Sequence, residues 1–461
     1  MRYPTNYLTD ELVGQPVLIR GHAQAIHTLG TEMVLVVVRE GVSTVLCVLT
    51  LSQDVVSRQM LKFATSLTPE SIVDVEGIVC LPSQPNTVTS QQVEIQVRKL
   101  YRVGKDTGPL PFNFEEMGMA VQDGHRLVGL NQDAALIHRS LELRSAANQG
   151  IFSFKSQVQK IFMEFLLSEG FVWRRPAPEL TVGFRDFSPS DYDETTLVSL
   201  AKSTSQLQHY QSDLISLGLG RVFVIGTAVD SSTMCEFTGI HVEMEIKEHY
   251  SEIIEIVDRL FVKMFDTLSA NCAKEIEAIK RQYPYQELKY MRTTLRLTFE
   301  EGVQMLKIWR KYYCLLYIDE ATDELNHIKH QAIKDDWQKY VACPMYGTEF
   351  YILHRYPLAL RPFYTTPCHD DPNYSNSFDV FIRGVVIVQG GAPHIHDPEV
   401  LKQRANACGV EIETISSYID SLRYGVPLHG GFGVGLERVL MLLCALGDVR
   451  KALLFPSYQQ R

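Results

Sequence analysis

Between Pro16 and about Val103, apolar and polar residues alternate in short runs, PVLIRGHAQAI, EMVLVVVRE, STVLCVLTL, SIVDVEGIVCL and QQVEIQVRKLYRV, parted by turn-forming residues. Alternation with a period of two over runs of this length predicts five β-strands. Val55 to Leu67 changes to helical spacing, so 1–103 reads as a small closed barrel of the OB type. GKDTGPLPFNFEE, from Gly104, breaks both periods with Gly and Pro and predicts a linker or hinge over 104–140. Beyond Leu141 the pattern lengthens. Apolar residues at Ile151, Phe154, Val158, Ile161, Phe162 and Phe165 predict a helix from Gln149 to Leu167, stopped at Gly170 before FVWRRP. Long helices, one from Glu248 to Ile279, then alternate with strands, with an insertion at about 311–338. Residues 141–461 therefore predict an α+β domain on an antiparallel sheet.

Composition narrows the class. The 461 residues, 45% apolar and 21% charged, suit a globular protein of two or three domains. The 44 Lys and Arg against 54 Asp and Glu give a net charge of −10 and no basic tail, so any nucleic-acid contact must be local. No apolar leader and no long apolar run occurs, which predicts a cytoplasmic protein with no membrane partner. Nine cysteines without a Cys-x-x-Cys pair argue against a zinc site and a disulfide framework.

HGGFGVGLERVLMLLCAL, from His429, is a glycine-rich strand entering a helix at Leu436-Glu437-Arg438. Without β-carbons at Gly430, Gly431, Gly433 and Gly435, another backbone or a flat ligand can lie directly on the strand. Arg438, in the first helical turn, is placed to fork onto a phosphate or to hold a structural ion pair.

With SRQMLKFATSLTPESIVDVEGIV, LRSAANQGIFSF, FVWRRP, RYPLALRPFY, SNSFDVFIRG, IHDPEVL and GFGVGLERV in this order, the chain resembles the class II aspartyl-tRNA synthetases of cytosolic eukaryotic type over nearly its whole length. The resemblance implies an OB-fold anticodon-binding barrel, a hinge, and a class II catalytic domain that dimerises through the Gln149 helix and the strand ending at Pro176. It also implies ATP and Mg²⁺ as cofactors, tRNA as partner, an adenine shelf at Phe237 with Gly433, Gly435 and Arg438, and Glu236 as a site carboxylate.

At other positions the sequence departs from the family. FVIGTAVDSSTMCEFTGIHVEMEI, 223–246, carries no Lys or Arg. The arginine that the family places on the α-phosphate, and the glutamate two residues on, map onto Thr227 and Val229. One Mg²⁺ carboxylate maps onto Asp379, but its partner maps onto Val386, and Mg²⁺ requires oxygen ligands. The arginine that grips the substrate's side-chain carboxylate maps onto His394. The Ser-Pro-Gln-Leu-Tyr-Lys stretch is represented by Ser203, Gln206 and His209. In the barrel, anticodon-contacting Phe and Gln positions read Leu35 and Leu46, which leaves Arg20 and Arg39 as contacts to the tRNA backbone.

Three readings follow from this pattern. In the first, the chain is a synthetase-like protein impaired or inactive in aspartate activation and kept as a dimeric scaffold. Its partner is then a second copy, an intact synthetase, tRNA, or a multi-synthetase or regulatory assembly. In the second it is a working aspartate–tRNA ligase whose phosphate cations come from Arg174, Arg175 or Arg185. In the third it is an ATP-dependent small-molecule ligase of the asparagine synthetase type. A metal cluster of His394, His396 and His429 lacks ligand spacing on one element, and IHDPEV reads instead as a helix start, with Asp397 as N-cap and Pro398 following.

Overall fold

The computed structural model describes residues 2–52, 54–82, 89–104, 137–174, 182–183, 215–230, 235–312 and 343–456; at 182–183, 216–217, 227–230, 235–236, 306–312 and 343–344 the description is of the backbone alone. The described chain divides into two compact units, Met1–Phe154 with Cys272–Tyr285, and Lys155–Asn271 with Gln286–Arg461. The linker expected at 104–140 and the insertion expected at 311–338 fall almost wholly outside the described residues.

In the first unit, β1 (Pro16–Leu29), β2 (Met33–Glu40), β3 (Ser43–Thr50), β4 (Ser71–Cys80) and β5 (Glu94–Arg102) form a closed barrel in the order β1-β2-β3-β5-β4. Closure comes from the parallel pairing of β3 with β5. The alternation is literal: Val17, Ile19 and Ala23 of β1, Val34, Val36 and Val38 of β2, and Val73, Val75 and Val79 of β4 all enter the barrel core. The helix Arg58–Thr65 is shorter than expected because Ser57 caps it, accepting from the Met60 amide. The start of the helix Ala146–Ser168 packs on Ala273–Gln282, where Ser153 donates to Glu275 at 3.0 Å.

The second unit is built on one mixed sheet. Its strands are β6 (Val172–Arg174), β7 (Val182–Gly183), β8 (Arg221–Asp230), β9 (Cys235–Glu245), β10 (Leu295–Thr298), β11 (Phe350–His354), β12 (Phe378–Ile382), β13 (Val385–Pro393) and β14 (His429–Gly435). Their order is β10-β11-β12-β13-β14-β9-β8-β6, with β7 beside β8. The central ladders are antiparallel as expected, whereas β10, β6 and β7 join in parallel at the two ends. One face is apolar and covered by helices: Phe162 meets Phe261 edge-on at 5.6 Å, and Phe261 and Phe265 lie 5.5 and 5.1 Å from Phe350. The expected helix Glu248–Ile279 is two, Ser251–Asn271 and Ala273–Gln282, because Cys272 between them leaves helical geometry at φ −117°, ψ 30°. Asp397 caps Pro398–Ala407 as the sequence suggested, accepting from the Glu399 and Val400 amides at 2.8 and 3.1 Å.

Candidate active site

The other face of the sheet carries the candidate chemistry, and strand parity decides which residues reach it. In β9, Ile240, Val242 and Met244 are core residues, so Phe237, Gly239, His241 and Glu243 stand on the other face. Register sets Gly435 of β14 opposite Gly239, Gly433 opposite His241 and Gly431 opposite Glu243. A β-carbon at Gly431 would lie 1.8 Å from the Val242 carbonyl oxygen and 2.7 Å from the Glu243 carboxyl carbon. The bare strand is therefore required for β9 to lie beside it and for the Glu243 carboxyl to rest on it. At Gly435 a β-carbon would meet the Phe237 ring at 3.4 Å and the Arg438 β-carbon at 4.0 Å, which brings Phe237, Gly435 and Arg438 into one shelf. Arg438 is exposed, and its Nη1 makes a long contact with the Val386 carbonyl at 3.5 Å.

Glu437, one residue earlier, was not singled out by the sequence reading, yet it anchors this shelf. Only 1% exposed, its carboxylate accepts from Lys155 Nζ at 2.6 Å, the Thr238 amide at 2.8 Å and the Thr238 hydroxyl at 2.9 Å. Its position in the Leu-Glu-Arg turn was the available signal.

The ladder gives the partners of the expected phosphate positions. Thr227 stands opposite Thr238 and Val229 opposite Glu236, whereas Gly226 and Ala228 stand opposite Gly239 and Phe237. By this pairing the β8 positions that share a face with Phe237 are 226 and 228. The missing charge does not depend on this pairing, since 223–246 holds no Lys or Arg in any register. The Glu236 side chain, Ser203, Gln206, His209, Arg175 and Arg185 lie outside the described residues. Arg174 is exposed on β6.

Asp379, the expected Mg²⁺ carboxylate, is corrected as well. It is fully buried, paired with Arg361 Nη1 at 2.9 Å, accepts from the Gly390 amide at 2.8 Å and bonds the Tyr356 hydroxyl. The Arg361 guanidinium also lies over the Tyr356 ring, 3.9 Å from its centroid. Val386 belongs to an apolar cluster with Tyr351, Leu353, Phe381 and Phe299. Among the described residues no group of three His, Cys, Asp or Glu side chains can hold a metal ion. These residues do not fit Mg²⁺, and the same finding removes the histidine cluster as a metal site.

His394 follows β13, its amide donating to the His429 carbonyl at 2.9 Å. Its Nε2 lies 3.3 Å from Glu243 Oε1, both side chains being buried. The imidazole is stacked between Tyr364, at 5.2 Å and 9°, and His429, at 5.3 Å and 13°. Burial pushes His429 down to about 4, with His394 adding to the effect, and pushes His241 down to about 4. Burial and then the Glu243 charge raise the Tyr364 and Tyr418 phenols. Glu243 belongs with Glu236 among the carboxylates that the family resemblance keeps in place, whereas Arg361, Tyr364 and Tyr418 were not predicted as site residues. Their carriers, RPFY and SSYID, look like ordinary core segments.

In the barrel, Arg20 forks onto Asp74, with Nε and Nη2 both at 2.7 Å. Arg39 is corrected: its side chain is 4% exposed and its Nη2 bonds both Glu70 oxygens, at 2.8 and 2.7 Å, so it does not face a nucleic acid. Leu35 and Leu46 lie half-buried on the outer side of β2 and β3.

Residues 131–459 match the family model of class II tRNA synthetases (D, K and N). The chain is 44% identical to the cytoplasmic aspartate–tRNA ligase 2 of Arabidopsis thaliana over 98% of its own length and 82% of the relative's, and 34% identical to the human cytoplasmic enzyme over 88% and 81%. Among solved structures, the aspartyl-tRNA synthetase of Entamoeba histolytica superposes with a TM-score of 0.83 at 32% identity, covering 99% of this chain and 91% of that one. A putative aspartyl-tRNA synthetase of Leishmania major gives 0.85 at 30% identity, covering 100% and 94%.

Proposed function

We propose, on the premise that the chain belongs to the class II tRNA synthetases (D, K and N) and is an aspartyl-tRNA synthetase-like protein, that it is impaired in aspartate activation and acts as a dimeric scaffold. Activation joins a carboxylate to the α-phosphate of ATP and releases pyrophosphate, so negative charge develops on oxygens that cations must offset. One observation carries the reading. Where the family resemblance places the arginine for the substrate carboxylate, His394 stands, and it is turned onto the chain's own Glu243 at 3.3 Å. The adenine shelf of Phe237, Gly435 and Arg438 still suits a purine ring. ATP binding through the base, without efficient phosphoryl chemistry, is the expected behaviour. Among the described residues, Arg438 is the cation that the chain brings to this shelf.

The scaffold is proposed to work in the cytoplasm as a homodimer or beside an intact synthetase, with tRNA or a multi-synthetase or regulatory assembly as further partners. Among the described residues no helix is long and apolar enough to cross a membrane. The test is aspartylation of total tRNA by the purified chain, beside its mass in solution by light scattering. A dimer without charging supports the reading, and charging at a rate comparable to the relatives overturns it.

A working ligase is the second reading. The 44% identity over 98% of the chain to an aspartate–tRNA ligase supports it, as does Arg361, whose buried Nε and Nη2 have no hydrogen-bond partner. In that case Arg361→Lys lowers charging sharply. The asparagine synthetase type has no use for the closed barrel of the first unit.

A further inference from the structure

We infer that Lys155, on the helix Ala146–Ser168, is a positioning residue that sets how strongly the shelf prefers a nucleotide to its nucleoside, and that it acts through Glu437 without touching the ligand. This rests on the reading of Phe237, Gly435 and Arg438 as an adenine shelf with the phosphates towards Arg438. Lys155 Nζ lies 2.6 Å from Glu437 Oε1, the carboxylate being buried and the ammonium partly so. The other two donors to this carboxylate, the amide and hydroxyl of Thr238 at 2.8 and 2.9 Å, are neutral. Lys155 therefore supplies the positive charge that balances Glu437.

That balance decides what charge a phosphate meets. Arg438 follows Glu437 in the chain and stands exposed beside Gly435. With Lys155 paired to Glu437, the Arg438 charge is left to act on an anion. Without the ammonium, the Glu437 carboxylate offsets Arg438, and a buried charge is screened little by solvent or salt. A triphosphate feels this change, whereas an uncharged nucleoside does not. The placing of the base is held separately. Thr238, the neighbour of Phe237, keeps both hydrogen bonds to Glu437 whatever charge stands at position 155. Charge and position can thus be altered one at a time.

The experiment is calorimetric titration of the whole chain with ATP and with adenosine, at pH 7.5, low ionic strength and without divalent cations. It is repeated on Lys155→Gln, Glu437→Gln and the double change after circular dichroism has shown each folded. The ratio of ATP affinity to adenosine affinity is expected to fall at least about fivefold in Lys155→Gln and to rise by a similar factor in Glu437→Gln. In the double change it is expected to return to within about twofold of the unaltered value. Lys155→Arg, which keeps the charge, is expected to leave the ratio unchanged. A merely structural ion pair would weaken both ligands together in both single variants. Equal loss of ATP and adenosine in Lys155→Gln, or a ratio moving the same way in both single variants, overturns the inference and leaves the shelf reading standing. If Lys155→Gln does not fold, the sign of the change in Glu437→Gln decides, and a ratio that falls or stays level overturns the inference. Binding of neither ligand by the unaltered protein overturns the shelf reading and the inference together.

Discussion

Replacing Glu437 tests how the shelf is held. Its carboxylate, 1% exposed, is the common acceptor for Lys155, itself 18% exposed, and for the amide and hydroxyl of Thr238, the neighbour of Phe237. In Glu437→Ala, Lys155 keeps only the Ala452 carbonyl at 3.4 Å, and the Thr238 amide loses its acceptor. A buried ion pair broken on one side costs about 3–5 kcal/mol. Glu437→Gln keeps an oxygen for Thr238 and loses the charge, so about 1.5–3 kcal/mol is expected. Lys155→Met with Glu437→Gln removes both charges, and the double change is expected to cost less than the two single changes together by at least about 1 kcal/mol. The assay is urea unfolding followed by tryptophan fluorescence and by circular dichroism, since two units need not unfold as one. A Glu437→Ala cost below about 1 kcal/mol, or strict additivity in the cycle, would refute the reasoning.

Other outcomes follow from the same geometry. His241 and His429, pushed down to about 4, favour the folded state only while neutral, so their stability is complete above about pH 6.5 and lost as pH falls towards 4. The loss is on the order of 3 kcal/mol per imidazole; the urea midpoint measured from pH 8 to 4 should fall through that window, and a flat profile contradicts the assignment. Val386→Glu places a carboxyl in the Tyr351 and Phe381 cluster and is expected to cost about 2–4 kcal/mol, with no recovery in melting temperature on adding Mg²⁺. Arg39→Met strands Glu70 in the barrel at a cost of about 3–5 kcal/mol and leaves the salt dependence of tRNA retention on filters unchanged, because the guanidinium does not face outward. Gly431→Ala, with its β-carbon 1.8 Å from the Val242 carbonyl, is expected to yield insoluble or unfolded protein in a solubility assay.

The barrel was legible because half of each strand faces a closed core and the sequence alternates accordingly, as in Val17, Ile19 and Ala23 against Leu18 and Arg20. The Asp397 cap was legible for a local reason, since its partners are two and three residues away. Long-range pairing was not. Arg39 looks like a surface cation until Glu70, 31 residues on, closes over it, and Glu70 does so from a left-handed backbone at φ 68° that no periodicity announces. Asp379 reads as a metal ligand until Arg361 and the Gly390 amide both converge on its buried Oδ1. The partners of Thr227 and Val229 were hidden for the same reason: alternation along a strand says that faces alternate, and only the ladder register says which face is which. The absence of Lys and Arg across 223–246 is legible because it is a property of composition.

On the proposed reading, this face does not activate aspartate. Aspartate-dependent exchange of pyrophosphate into ATP, measured on the purified, folded chain with excess Mg²⁺, tests it most directly. The account predicts exchange at background, with His394→Arg alone insufficient to restore it, because the β8 positions beside Phe237 still carry no cation. Exchange well above background in the unaltered protein contradicts the account.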